Sequence, residues 1–204
     1  MRFANRRLLL RGSFVAALSG STLIAAAIPL PAAAAGDLDA HLRGSYAFTT
    51  ARTCAISSSP IGDNYTFAPD RFYQTATDSG ILTFNGDGTG TLVGKSRNVN
   101  LSAGSGTLVN VSSFTSDFSY TVNEDRTVDL WNISTTFNSA FPNVNFHGTV
   151  IGQTSRLQVA DGKSMLVTAP SENYTVETLN YTAPLMTQYR ICTRSTTATK
   201  LPGN

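Results

Sequence analysis

The stretch from Phe118 to Leu130, FSYTVNEDRTVDL, decides the fold class of this sequence. Apolar residues alternate with polar ones on both sides of its polar centre: Phe118, Tyr120 and Val122 before the centre, then Val128 and Leu130 after it. Alternation with a period of two is typical of a strand that buries one face. A polar turn between two such segments predicts a β-hairpin, and similar alternation along the chain predicts an all-β protein.

Two other turns can be superimposed on the centre of this stretch. The three segments are NGDGT at 85–89, NEDRT at 123–127 and VADGK at 159–163, with the aspartates Asp87, Asp125 and Asp161. An aspartate followed by glycine suits a turn in which the carboxylate accepts local N–H bonds and the glycine takes a positive φ. Arg126 stands in the glycine position of the second turn, so we expect a strained or different turn there.

The oxygens of Asn85, Asp87 and Thr89 also resemble the start of a calcium-binding loop. A loop of the EF-hand type needs an acidic residue at its last ligand position, where this sequence has Ser96. One carboxylate does not hold the ion by itself. We therefore interpret the segment as a turn and predict no metal site.

The alternating segments amount to about eight strands. A strand in GSYAFTTA precedes the three hairpins, and QYRICTRS supplies the last strand. Consecutive antiparallel strands in this number favour an up-and-down barrel, because closure leaves no exposed edge. A β-sandwich is the alternative. We also expect a short helical segment from Asp39 to Leu42.

The two cysteines, Cys54 and Cys192, lie in the first and the last predicted strands. A lone pair of cysteines in an exported protein usually forms a disulfide. The predicted Cys54–Cys192 disulfide would join the two strands that become neighbours when a barrel closes.

Residues 1–35 have the features of a helical signal peptide, which leaves residues 36–204 as a single β-barrel domain. Four arginines open the chain, an uncharged apolar segment follows, and Ala33 and Ala35 offer a cleavage site. A membrane anchor is the alternative for the apolar segment. The run NRRLLLR resembles bacterial twin-arginine export signals, and an ordinary secretory signal is the other route. Both routes predict a periplasmic or secreted protein.

Removal of this leader changes the net charge. The full sequence has 15 lysines and arginines and 13 acidic residues, and four of the arginines lie in the leader. The remaining 11 basic and 13 acidic residues give a net charge near −2. Without a basic cluster, this charge argues against nucleic acid as the partner.

The order of the segments resembles small exported bacterial barrels of the lipocalin-like, or calycin, type. The resemblance rests on GSYAF, LTFNGDGTGTL, YTVNEDRTVDL, LQVADGKSMLV and RICTRS, which lie between Leu42 and Ser195. It implies a barrel able to hold a small ligand. It equally implies an enzyme, such as an isomerase or cyclase acting on a lipid-like substrate, because such barrels serve more than one function.

Aromatic and basic residues supply the candidate ligand-binding site. Many lie in residues 57–80, which we expect to form a long loop over one end of the barrel. The candidates are Tyr46, Phe48, Arg52, Phe67, Arg71, Phe72, Tyr73, Phe118, Tyr120 and Tyr189. Strand neighbours face opposite sides, so an inward Tyr189 would turn Arg190 outward and leave Arg52 or Arg71 to anchor an acidic ligand. The alternative is that these aromatics only complete the core.

No pattern in the sequence assigns a catalytic residue or a cofactor. The two histidines, His41 and His147, lie far apart in the chain and neither belongs to a known catalytic motif. The leading hypothesis is an exported bacterial barrel that binds a small apolar or amphipathic molecule. The alternatives are the lipocalin-like enzyme and a structural or adhesive envelope module.

Overall fold

The computed structural model describes residues 35–102, 106–140, 145–170 and 175–203. These residues form one short helix and nine strands: α1 (Ala35–Ala40), β1 (Arg43–Ser57), β2 (Phe72–Asn85), β3 (Thr89–Ser102), β4 (Gly106–Val122), β5 (Thr127–Ala140), β6 (Asn145–Ala160), β7 (Met165–Thr168), β8 (Glu177–Ala183) and β9 (Leu185–Lys200). Residues 1–34 of the predicted signal peptide lie outside the described residues.

The nine strands form one antiparallel sheet that closes into a ring, because β9 pairs with β1 as well as with β7 and β8. Neighbours in the ring follow chain order. The short strands β7 and β8 share one position: β7 pairs with Leu157–Ala160 of β6, and β8 pairs with His147–Ile151 of the same strand. The predicted all-β, up-and-down barrel is confirmed as a single closed sheet, and the described residues do not form the two sheets of a sandwich.

Two of the three aligned turns have the predicted chemistry. Asp87 Oδ1 accepts the Thr89 N–H at 2.9 Å, and Asp125 Oδ1 accepts the Thr127 N–H at the same distance. Arg126 has a φ of +64°, so a residue with a Cβ occupies the left-handed conformation that glycine occupies at Gly88. The third turn differs, because residues 161–163 all have positive φ and form a single 3-10 turn.

The α1 end of the ring is filled by a cluster of apolar side chains. The Phe84 ring lies edge-on to three others, with centroid distances of 5.7 Å to Tyr46, 5.6 Å to Phe118 and 4.9 Å to Tyr120. Gly90 leaves room for this packing, since a Cβ there would lie 2.2 Å from Cζ of Phe118.

Helix α1 lies across this end of the ring. The Tyr120 hydroxyl donates to the Leu42 carbonyl at 2.9 Å and accepts the Gly86 N–H at 3.1 Å. Asp39 Oδ1 accepts the Val122 N–H at 2.6 Å. The helix ends at Ala40, earlier than the expected Asp39–Leu42 segment.

The connection between the first two strands is shorter than expected. Strand β1 continues to Ser57 and β2 begins at Phe72, so the loop comprises only residues 58–71. The prediction of a structureless segment over residues 57–80 was wrong. Its second half alternates well enough to pair with β1 along its whole length, from Ile56 opposite Phe72 to Arg43 opposite Asn85.

The two cysteines lie directly opposite each other on β1 and β9, with an Sγ–Sγ distance of 2.01 Å. The predicted pair is therefore at disulfide distance and joins the strands that close the ring. Within the described part of the chain, no helix is both long and apolar enough to span a membrane.

Candidate functional site

A cavity of about 650 Å³ lies inside the ring. Towards the α1 end its wall is apolar, and we call this part the apolar floor: Leu82, Leu92, Phe118, Leu130 and Leu157. At mid-height the wall is polar, with Thr50, Arg52, Asp78, Ser96, Asn98, Asn110, Ser112, Arg190 and Arg194. Towards the far end, where β1 finishes, the wall includes Ile56, Phe72, Phe137, Phe146, Tyr181 and Met186.

Arg52 on β1 extends into this cavity, and other side chains of the wall hold its guanidinium group. Its Nε donates to Asp78 Oδ2 at 2.9 Å. Its Nη atoms have four further acceptors: Gln74 Oε1 at 3.3 Å, Asn98 Oδ1 at 2.8 Å, Ser96 Oγ at 3.2 Å and Cys54 Sγ at 3.6 Å. Five N–H groups therefore meet five acceptors. Burial, reinforced by repulsion from Arg190, lowers the pKa of Arg52 to about 10, so the side chain stays charged at neutral pH.

Glu177, the first residue of β8, is fully buried and bridges two other arginines. Arg190 Nε donates to Glu177 Oε2 at 2.7 Å, and Arg194 Nη2 donates to Oε1. Burial by itself would raise the pKa of Glu177, but the charges and hydrogen bonds of Arg194 and Arg190 outweigh it and lower the pKa to about 2. The side chain is a carboxylate throughout the physiological range.

The described side chains leave one positive charge in excess at this level of the ring. The arginine cluster, by which we mean Arg52, Arg190 and Arg194, faces two carboxylates, those of Asp78 and Glu177. Among the described residues, both Nη atoms of Arg190 and the Nε and Nη1 atoms of Arg194 have no hydrogen-bond acceptor. Both arginines line the cavity, so these donors are available to a bound anion.

Two acceptors in the same wall are also unused. Asp78 Oδ1 and Asn110 Oδ1 are buried and have no hydrogen-bond partner among the described residues. Both side chains line the cavity. Buried acceptors are rarely left unpaired, so the cavity combines free donors with free acceptors.

The structure brings four of the ten sequence-predicted site residues to the cavity wall: Phe48, Arg52, Phe72 and Phe118. Tyr46 and Tyr120 belong instead to the apolar cluster at the α1 end, where both are buried. Phe67 is half-buried in the loop, whereas Arg71 and Tyr73 are exposed. Tyr189 is half-buried and does not line the cavity.

The expected directions of Tyr189 and Arg190 are reversed. Arg190 is buried and lines the cavity, and Tyr189 lies on the opposite face of β9. The pairing of Cys192 with Cys54 could have predicted the inward orientation of Arg190. Both cysteines are buried, so Arg190 and Arg194, two residues away on either side of Cys192, share their inward face.

Comparison of the chain with protein-family models, with curated proteins and with solved structures found no match. The case for a function therefore rests on the chemistry of the cavity.

Proposed function

We propose that this protein is an exported bacterial protein that binds a small amphipathic molecule with an anionic head group. The head lies against Arg190 and Arg194, and the apolar part lies on the apolar floor. The observation that carries the proposal is one cavity, of about 650 Å³, that joins a largely apolar wall to two inward arginines with unused N–H groups. Cavities of this size and character are typical of small-molecule sites.

Electrostatics favours an anion over a neutral head group. Three guanidinium groups share two carboxylates, and each cation was moved out of water at a substantial desolvation cost. A bound carboxylate, sulfate or phosphate would neutralise the excess charge and accept charge-assisted hydrogen bonds from two arginine side chains. A neutral ligand would do neither.

The same geometry gives less support to the enzyme alternative. Of the two interior carboxylates, Asp78 lines the cavity with one oxygen bound to Arg52. Glu177 is absent from the cavity wall, and both of its oxygens are bound by arginines. Its pKa of about 2 makes it a weak proton acceptor. The alternative of a structural or adhesive module would have been favoured by a filled interior, and the cavity weighs against it.

Export is part of the proposal. It is supported by the arginine-rich leader, by the small residues before Gly36 and by a cysteine pair at disulfide distance. Such a pair is typical of an oxidising compartment. Two free thiols in protein isolated without reductant from the envelope fraction would contradict this part.

The binding test uses isothermal titration calorimetry with decanoate and the uncharged 1-decanol. We expect one decanoate site per chain and an affinity for decanol about tenfold or more weaker, as loss of charge-assisted bonds implies. Arg194→Gln should weaken decanoate binding by a similar factor. Arg97→Gln is the matched control, because Arg97 is an exposed arginine of β3 that is absent from the cavity wall.

Three results would contradict the proposed function. These are no binding of either compound, equal binding of both, or equal effects of the two arginine substitutions. A complementary measurement is mass spectrometry of protein purified gently from the native envelope, in which a retained anionic amphipath is the expected finding.

A further inference from the structure

Only one of the two oxygens of the Asp78 carboxylate has a hydrogen-bond partner among the described residues. Its Oδ2 accepts the Nε–H of Arg52 at 2.9 Å, whereas its Oδ1 is buried without a partner among the described residues. The side chain lines the cavity, and its exposed fraction is 13%. A charged acceptor in this position attracts a hydrogen-bond donor strongly, because leaving it unpaired carries a desolvation penalty.

The neighbouring hydroxyl and guanidinium groups of the protein make their hydrogen bonds to other partners. Thr50 and Ser96 are the strand partners of Asp78 on either side. The Thr50 hydroxyl is bonded to that of Thr196 at 2.8 Å, and the Ser96 hydroxyl donates to Asn98 Oδ1 at 3.0 Å. Arg52 has a separate acceptor for each of its five N–H groups. None of these three side chains donates to Asp78 Oδ1. Because the Asp78 side chain borders the cavity, a bound molecule is the other source of a donor.

Asp78 Oδ1 lies close to the position that we propose for the anionic head group. It belongs to the same carboxylate as the oxygen that binds Arg52, and Arg52 is near enough to Arg190 and Arg194 for their charges to repel one another. A ligand whose acid group contacts Arg190 and Arg194 therefore brings its nearest carbon atoms towards Asp78.

We propose that the ligand carries a hydroxyl group near its anionic head and that this hydroxyl donates to Asp78 Oδ1. The inference rests on the proposed function and narrows the ligand from anionic amphipaths in general to hydroxylated ones. Asn110 Oδ1 is a second unpaired acceptor on the same wall, and it favours a head group with hydrogen-bond donors. Asp78 carries the inference, because a carboxylate has no N–H that it could turn towards the ligand instead.

The test compares three ligands that differ only at one position: decanoate, 3-hydroxydecanoate and 3-methoxydecanoate. The hydroxyl can donate, whereas the methoxy group can only accept. We expect wild-type protein to bind the hydroxy acid about tenfold more tightly than decanoate, as a hydrogen bond to a charged acceptor implies. The methoxy acid should bind no more tightly than decanoate.

Asp78→Asn provides the matched change in the protein. Its amide oxygen has to accept the Arg52 Nε–H, so the NH2 group faces the cavity and a free donor replaces the free acceptor. The variant should bind both the methoxy acid and the hydroxy acid more tightly than decanoate, because either oxygen can accept from the NH2 group, and should therefore lose the preference for the hydroxy acid over the methoxy acid. Asp117→Asn, at an exposed position of β4, is the control and should leave the order of affinities unchanged.

The outcomes separate the two proposals. Equal affinity of wild-type protein for decanoate and 3-hydroxydecanoate, with binding still dependent on Arg194, would overturn the hydroxyl inference and leave the proposed function standing. No binding of any of the three acids would overturn both. The wild-type ligand series decides the question by itself, so a failure of Asp78→Asn to fold would not protect the inference.

Discussion

Two regions of the ring are built from the same strands but lined with opposite kinds of side chain: the α1 end, which we call the aromatic half, and the polar mid-height, which we call the polar half. Along β1 the inward residues change from Tyr46 and Phe48 at the α1 end to Thr50 and Arg52 at mid-height. The aromatic half is packed to the point where Gly90 has no room for a Cβ. The polar half contributes three arginines and two unpaired acceptors to the wall of the cavity.

Physical chemistry assigns different roles to these halves. Burial of apolar surface stabilises a fold without directional requirements. Replacing a whole buried ion cluster by apolar residues often costs no stability, since the desolvation of its charges offsets most of their attraction, although removing one partner alone is destabilising. The aromatic half is therefore the main stabilising region, and the polar half is the one to which we assign ligand binding in our proposal.

The largest effect that we predict is loss of stability from Phe84→Ala. This ring is almost fully buried and contacts three other aromatic rings, so its removal should cost 3–5 kcal/mol, as is typical of a phenylalanine in a packed core. Urea denaturation measures this loss in the free energy of unfolding. Tyr73→Ala, which truncates an exposed aromatic residue, is the control and should cost less than about 1 kcal/mol.

The same variant tests the division of roles, because Phe84 does not line the cavity. Decanoate affinity of the folded Phe84→Ala protein should equal that of wild type. A large loss of affinity without a large loss of stability would show that the two halves are not separate in function.

We expect Glu177→Gln, in the polar half, to lower the free energy of unfolding by less than Phe84→Ala does. The size of this loss should depend on pH. The pKa of Glu177 is lowered from 4.5 to about 2. A carboxyl group with a lowered pKa stabilises the folded state above its unfolded pKa, and this contribution disappears as the pH falls through the folded pKa. The shift corresponds to a contribution on the order of 3 kcal/mol at pH 7.

The stability difference between wild type and Glu177→Gln should therefore be constant above about pH 5 and shrink between pH 4.5 and pH 2. Urea denaturation at several pH values measures this difference in the free energy of unfolding. Glu124→Gln changes an exposed carboxylate in a turn and should show no such pH dependence. A difference that persists unchanged at pH 2 would mean that Glu177 acts through its shape and not through its charge.

Much of the fold could be predicted from the sequence because its signals are local. Alternation identifies strands, and the Asp-containing turns fix where they reverse. The spacing of these turns predicted consecutive antiparallel pairing, and the strand count together with the cysteine pair predicted the closure of the first strand on the last. Strand β8 was not predicted, because the sequence between β7 and β9 gives no sign that the two short strands β7 and β8 share one position in the ring.

The candidate site was harder to predict, because part of it lies on strand β8, which was not predicted. Glu177 enters the interior on β8, so missing that strand also meant missing the carboxylate that holds Arg190 and Arg194. Asp78 was missed because residues 57–80 were interpreted as a loop. Arg52 could be predicted, since it lies two residues from Thr50 on a strand whose inward face was evident.

The smallest change in stability that we predict comes from substitutions in a single turn at the α1 end. Arg126 has a φ of +64°, and a residue with a Cβ pays about 1 kcal/mol for this conformation. Its carbonyl accepts the Val159 N–H at 3.0 Å, a bond that any residue type can make. Arg126→Gly should therefore keep the turn, remove the strain and raise the free energy of unfolding by up to about 1 kcal/mol, less the greater unfolded-state entropy of glycine.

Gly88→Ala makes the opposite change in the equivalent turn, where φ is +83°. Space is available there, as a Cβ would lie 3.4 Å from its nearest neighbour, the carbonyl oxygen of Tyr120. The backbone conformation alone should therefore cost about 1 kcal/mol. Urea midpoints of the two variants should move in opposite directions while decanoate affinity stays constant. If both variants are destabilised, the Arg126 side chain stabilises the turn by more than its backbone strain costs.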